Sequence, residues 1–169
     1  IASSARFDDE YPFNIAMHEA AKYYANIVLP YSRQVQKAAE LISALDIKYI
    51  CPSHGLIWRS NIEDIVGEYA KWAHNIVEKK ALIIFDTMWK STEKIANTIQ
   101  EAFETKDYNI TMCNLRHNHI SDIMTEILTA KYIVVGSPTL NNNILPTVSS
   151  FLTYLKGLAP KGRIGMAFG

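Results

Sequence analysis

The chain has 169 residues, 49% hydrophobic and 20% charged, a length that suits one ordinary domain or two small or partial ones. Lysine plus arginine and aspartate plus glutamate number 17 each, giving zero formal net charge, and neither half carries a long run of one sign, which argues against nucleic acid or an anionic membrane surface as partner. No apolar stretch approaches the roughly 20 residues of a membrane span, the start lacks a basic-then-apolar leader, and Cys51 and Cys113 fit neither a CxxC pair nor a zinc spacing; a soluble protein of a reducing, cytoplasmic compartment is expected.

The chain opens with "IASSARFDDEYPF", without an initiator Met, and closes with "KGRIGMAFG", a strand-like run that stops where a loop should follow. Both ends suggest a piece of a longer protein. From Asn14 to about Asp46 the pattern is helical, divided by Pro30, with Ser32 as cap of the second helix and Val35, Ala38, Ala39, Ile42 and Leu45 as its apolar stripe. "IKYIC", Ile47 to Cys51, reads as a short strand and "PSHGLIW" as a loop leaving it. Ser60 and Glu63 stand at capping-box spacing before a helix whose inner face carries Ile62, Ile65, Val66, Tyr69, Ala73 and Ile76.

After Glu78, Lys79 and Lys80, where the boundary between two domains is expected, strand and helix alternate strictly. "ALIIF" is a strand, Ser91 to about Thr105 a helix with Ile95, Ile99, Ala102 and Phe103 inward, and "YNITMCNL" a strand. His119 to Thr129 is a helix, "KYIVVGS" a strand, Ile144 to Lys156 a helix and "GRIGMAF" a strand. Four strands separated by three helices predict an α/β fold with a parallel sheet covered on both faces.

In such a sheet ligands bind beyond the carboxyl ends of the strands, where the strand order reverses. "TMWKST" lies beyond the first strand and feeds the next helix, so Thr87, Ser91 and Thr92 place hydroxyls near the free N–H groups of a helix start, an arrangement suited to a phosphate monoester. Neither GxGxxG nor GxxxxGK[ST] occurs, which weakens dinucleotide and nucleoside-triphosphate readings. From this loop alone, simple capping by Ser91 and Thr92 explains the hydroxyls equally well. The third strand ends in "GSPTLNNNILP", where Gly136 permits close backbone approach and Ser137, Thr139 and Asn141 to Asn143 offer donors and acceptors. Such a cluster is also an ordinary turn composition. Two ligand-suited loops at the first and third strands together favour a flavin.

"DTMWKST", "VGSPTLNNNILP" and, upstream, "CPSHGLIWR" together resemble the flavodiiron proteins, also called A-type flavoproteins, over nearly the whole chain. The resemblance implies the C-terminal portion of a metallo-β-lactamase-like αββα domain over residues 1–79 and the N-terminal portion of a flavodoxin-like, doubly wound FMN-binding domain over 80–169. It implies two cofactors, FMN and a pair of non-haem irons, and reduction of O2 to water, NO to N2O, or both. Electrons would come from a rubredoxin, a related carrier or reduced coenzyme F420, pass through FMN and reach the iron pair of the other protomer in a head-to-tail homodimer or dimer of dimers.

Residue by residue, the resemblance assigns Thr87, Met88, Trp89, Lys90, Ser91 and Thr92 to the FMN phosphate loop and Pro138, Thr139, Leu140, Asn141, Asn142 and Asn143 to the loop at the flavin ring. It makes His54 an iron ligand, where without it a surface histidine is the commoner explanation. The other iron ligands are expected before Ile1 and the third flavin loop after Gly169, so this stretch on its own is expected to be inactive. Trp58 is assigned either to a cover over the metal cavity or to core packing, Trp72 to the core, and His18, His74, His117 and His119 to structural roles. Two rival functions remain open: an FMN electron-transfer module without reductase activity, and a metallo-β-lactamase-type hydrolase with zinc at His54.

Overall fold

The structure is a computed structural model that describes residues 4–169. The chain divides into two compact units, the first ending at Ile76 and the second running from Val77 to Gly169.

In the first unit, α1 (Phe13–Tyr23) continues into a π-helical turn over Tyr24–Val28 and a 3-10 turn over Leu29–Tyr31, after which α2 (Ser32–Ile42) begins. Pro30 has no N–H to continue an α-helical ladder, and the chain changes its winding there instead of breaking. Ser32 is not a cap: it is the first residue of α2, and its buried hydroxyl donates back to the Leu29 carbonyl at 2.7 Å while sharing a hydrogen bond with Tyr24 Oη at 3.0 Å. Leu45 lies beyond the end of α2 and is exposed, and Ala38 is exposed too, so the inner stripe is shorter than expected.

Ile47–Cys51 does not form a strand. Its ladder contact among the described residues is an isolated antiparallel bridge between Ile50 and Trp58, and a β-rich pentapeptide becomes a strand only when a partner pairs along its length. Helix α3 (Ile62–Ala73) starts after Asn61, and the expected Ser60–Glu63 capping box is absent. Asp8 replaces it: the buried carboxylate accepts from the backbone N–H groups of Arg59, Ser60 and Asn61 at 2.8, 3.3 and 2.8 Å. Asn75, at φ of 56°, ends the helical path, so Ile76 leaves the apolar stripe and is exposed. Ala16, Leu56, Trp58 and Ile65 form the core of this unit, and Tyr24 packs edge-on to Tyr69 and tilted to Trp72 at centroid distances of 5.1 and 5.3 Å.

The second unit runs β1 (Glu78–Phe85), α4 (Ser91–Glu104), β2 (Asn109–Asn114), α5 (Ile120–Ile127), β3 (Ala130–Gly136), a hairpin of β4 (Thr139–Leu140) and β5 (Asn143–Ile144), α6 (Pro146–Leu158) and β6 (Ile164–Phe168). The main sheet is parallel throughout in the order β2-β1-β3-β6. Glu78, Lys79 and Lys80 are therefore strand residues, and the buried Lys80 is ion-paired with Glu126. Ala81 to Phe85 are no more than 3% exposed, as a central strand covered on both faces requires.

Helix α4 buries Thr92 and Ala96 and half-buries Ile99 and Phe103, a stripe at spacings of four, three and four. Ile95 and Ala102, expected inward, sit on the flanks and are exposed, because the stripe is rotated by about one residue from the expected phase. Ala96 meets Ile83, Phe85 and Val134 of the sheet. The hairpin was not foreseen from "SPTLNNNILP": Asn141 and Asn142 take φ of 51° and 59° at the centre of a two-residue turn, a conformation that asparagine tolerates better than most residues.

Gly136 is level in the sheet with Phe85 on one side and Phe168 on the other, and it makes room for protein rather than only for a ligand. A Cβ there would lie 2.2 to 2.7 Å from three atoms of the Phe168 ring, whereas a Cβ on Gly165 would meet nothing within 4 Å. Gly136→Ala should accordingly cost about 1–3 kcal/mol in denaturant unfolding through overpacking, with Gly165→Ala causing no loss; equal behaviour of the two variants would sink this account.

Candidate functional site

The carboxyl ends of β1 and β3, the strands at which the sheet order reverses, carry the two loops predicted to bind a ligand. After β1 the chain passes Asp86 and Thr87, both buried, and then emerges: Met88 and Lys90 are exposed and Trp89 is 85% exposed. Lys90 adopts the left-handed conformation at φ of 65° and turns the chain into α4, so that Ser91 is exposed in the first turn and Thr92 is buried behind it. Neither residue caps the helix, for no side-chain cap hydrogen bond is present; the competing explanation of the two hydroxyls therefore fails. Thr87 is only 8% exposed, and its Oγ1 has no hydrogen-bond partner among the described residues. A buried hydroxyl without a partner costs about 1–3 kcal/mol, a cost that an incoming acceptor would remove.

After β3, Pro138, Thr139, Leu140, Asn141, Asn142 and Asn143 all belong to the hairpin or its approach. Thr139 and the three asparagines are exposed. Asn141 and Asn142 serve the turn, and Asn143 Oδ1 accepts from the Ile144 N–H at 2.9 Å, leaving Thr139 as the exposed polar side chain not used in turn geometry. Ser137 closes the loop: its N–H donates to the Phe168 carbonyl at 3.0 Å, its hydroxyl to the Pro138 carbonyl at 3.0 Å, and the same oxygen accepts from the Leu145 N–H at 2.9 Å.

The sequence reading missed the residue that joins these loops. Asp86, 2% exposed, accepts at Oδ1 from the Thr87 N–H and from Arg116 Nε, and at Oδ2 from the Thr147 hydroxyl, each at 2.6 Å. Burial opposes its charge, but hydrogen bonds from Thr147, Thr87 and Arg116 outweigh that penalty and hold the carboxyl below the usual carboxylate range. The signal available in the sequence was the acid itself, placed where a fully apolar strand ends. Beside this network a crevice of about 660 Å³ opens between the ends of β1 and β2 and the face of α4, lined by Thr87, Lys90, Asn97, Asn114, Arg116 and His117 among others.

In the first unit, His54 is exposed on a loop turned by Gly55 at φ of 95°, a backbone state open to glycine and strained for other residues. Its ring lies 5.9 Å from that of Tyr23, and both border an apolar cavity of about 510 Å³ walled by residues such as Ala20, Val35, Ile42, Leu56 and Tyr69. Trp58 also lines this cavity while belonging to the core. His74 Nδ1 contacts the Ala70 carbonyl at 2.8 Å, and His119 caps α5 by accepting from the Ser121 N–H at 3.2 Å.

Residues 83–169 match the flavodoxin family model, and the chain belongs to the flavodoxin family. Within that class its similarity runs to flavodiiron proteins. It is 44% identical over 171 residues to the nitric oxide reductase of Moorella thermoacetica, covering 100% of this chain and 43% of that one. The structure of the rubredoxin oxygen:oxidoreductase from Desulfovibrio gigas superposes with a TM-score of 0.94 at 41% identity, covering 100% of this chain and 44% of that chain. The flavodiiron protein from Giardia intestinalis gives 0.93 at 30% identity, covering 99% and 42%. The chain thus spans less than half the length of the relatives it matches.

The family match points to FMN, and the flavodiiron relatives to a non-haem di-iron centre. The loop after β1 fits a flavin phosphate, on the strength of the partnerless Thr87 hydroxyl in the loop that leads into a fourteen-residue helix. For iron, the described residues contain no group of three or more His, Cys, Asp or Glu able to hold a metal, and His54 is a single candidate ligand.

Because the folded pKa of Asp86 is depressed, its charge stabilises the fold fully above about pH 4, the unfolded carboxylate range, and that contribution is lost as the pH falls through the folded value. The melting-temperature difference between wild type and Asp86→Asn should be largest near neutrality and shrink in acid. A difference independent of pH would contradict the assignment.

Proposed function

We propose that this chain is part of a flavodiiron oxidoreductase that reduces O2, NO or both, with residues 80–169 holding FMN and residues 1–79 contributing to a metallo-β-lactamase-like di-iron domain. The observation that carries the flavin half is the buried Thr87 hydroxyl, left without a partner where the strand order reverses. Similarity to a nitric oxide reductase and to a rubredoxin oxygen:oxidoreductase along the whole chain supports the reductase reading.

In this reading Thr87, Ser91 and the first N–H groups of α4 hold the phosphate, and Lys90 adds a positive charge at the same helix start. Met88 and Trp89 present apolar surface beside the loop, and the β4–β5 hairpin from Pro138 to Asn143 brings backbone and Thr139 toward the ring. Bound FMN would supply one-electron chemistry between a donor, a rubredoxin or reduced coenzyme F420, and the metal centre. His54 would be one imidazole ligand of that centre. Assembly as a head-to-tail homodimer belongs to the same proposal.

The full-length protein should show flavin absorption bands and about two irons per chain, and should consume O2 or NO in the presence of a reduced carrier. His54→Ala should lower iron content and diatomic reduction while leaving flavin content unchanged. Flavin without iron would establish the electron-transfer module instead, and zinc without flavin the hydrolase. Thr87→Val carries a split sign: the flavin-free protein should be more stable by up to about 1 kcal/mol, and FMN affinity should fall roughly tenfold, since one hydrogen bond to a charged acceptor is lost. Equal FMN affinity in titrations of the two proteins would remove Thr87 from the site.

A further inference from the structure

We propose that Asp86 is a positioning residue for the flavin phosphate loop: its carboxylate gathers the loop after β1, the loop after β2 and the first turn of α6 through Thr87, Arg116 and Thr147. This inference rests on the flavin reading and goes beyond it, because Asp86 is not among the residues assigned to the cofactor and precedes them at the end of β1.

Three observations carry it. The donors come from three separate segments, 1, 30 and 61 residues away in sequence, and each is within 2.6 Å. The carboxylate is almost fully buried, and a buried charge persists only where hydrogen-bond donors are arranged around it. It also consumes the N–H of Thr87 while the hydroxyl of the same residue has no partner. Fixing the N–H orients the Thr87 backbone and leaves the hydroxyl as that residue's free polar group for an incoming acceptor.

Through the Asp86 N–H, which donates to the Gly136 carbonyl at 3.4 Å, the same residue touches the end of β3. The Thr147 bond pins the start of α6, which directly follows the β4–β5 hairpin. Asp86 thus ties the start of the loop after β1 to the end of β3 and to the start of α6, the two points between which the β4–β5 hairpin lies.

A positioning role predicts selectivity for the phosphate, which a general loss of stability does not. Flavin-stripped full-length protein would be titrated with FMN and with riboflavin, which lacks the phosphate, following quenching of flavin fluorescence. For Asp86→Asn the FMN dissociation constant should rise on the order of tenfold or more while that for riboflavin changes less than about twofold. Thr147→Val removes one hydrogen bond from an exposed residue and serves if Asp86→Asn does not fold; it should lower the FMN-to-riboflavin preference in the same direction by a smaller factor. Unchanged preference in the folded variants, or equal weakening of both flavins, overturns the proposal. Failure of the wild type to bind FMN at all would instead overturn the flavin reading, and the proposal with it.

Discussion

The sheet depends on a central strand that water cannot reach from either side. With Ala81 to Phe85 buried on both faces, the last five residues of β1 are all apolar, and the change where the strand ends is abrupt. Asp86 is the first side chain past the apolar run and is still buried, so its charge had to be met by donors drawn from wherever the fold could supply them. The loop after β2, the end of β3 and the start of α6 converge on it because the parallel order brings all strand ends to the same edge. A binding site at that edge follows from the same geometry: backbone turns, helix starts and unused polar groups accumulate where the apolar strands stop.

What could be read from the sequence divides along the range of the interactions involved. The alternation from "ALIIF" to "GRIGMAF" reports side-chain burial at periods of two and 3.6, which are local properties. The four strands of the main sheet and the three helices between them lie within a few residues of where that pattern put them, while the β4–β5 hairpin, which takes Ile144 from the expected last helix, does not follow from it. Local chemistry failed wherever a distant residue offered a better bond. Ser60 and Glu63 have capping-box spacing, yet Asp8, about fifty residues earlier, takes the N–H groups before α3. "IKYIC" has strand composition, but Trp58 offers it a single bridge and no ladder. The Asp86 network joins positions 30 and 61 residues apart and has no periodic trace in the sequence. The candidate phosphate loop was visible because its hydroxyls are contiguous, whereas the residue that holds that loop was not.

The two loops also differ in how their unusual backbone is tolerated. In the β4–β5 hairpin the left-handed positions are occupied by Asn141 and Asn142, residues whose short polar side chains lower the cost of that conformation. The three asparagines that suggested hydrogen bonding to a ring are thus accounted for mainly by turn geometry, which shifts attention in that loop to Thr139 and to the backbone. At the start of α4 the left-handed residue is Lys90, which lacks that compensation and costs roughly 1–2 kcal/mol relative to an ordinary backbone state.

Two local costs therefore meet in six residues: the backbone of Lys90 and the partnerless hydroxyl of Thr87. A loop selected for stability of the free protein alone would have neither, since glycine at the first position and valine at the second would relieve both. Strain of this kind persists when the surroundings hold it in place, and Asp86 provides that hold by fixing the Thr87 N–H from beneath while α4 anchors the other end through the buried Thr92 and Ala96. The loop is thus set in a shape that costs the fold stability, and under the proposed flavin reading it would offer an anion a helix start and an unused hydroxyl. In the flavin reading proposed above, a phosphate accepting from Thr87 would remove one of these costs in a loop already held in shape, which is what preorganisation of the site would consist of.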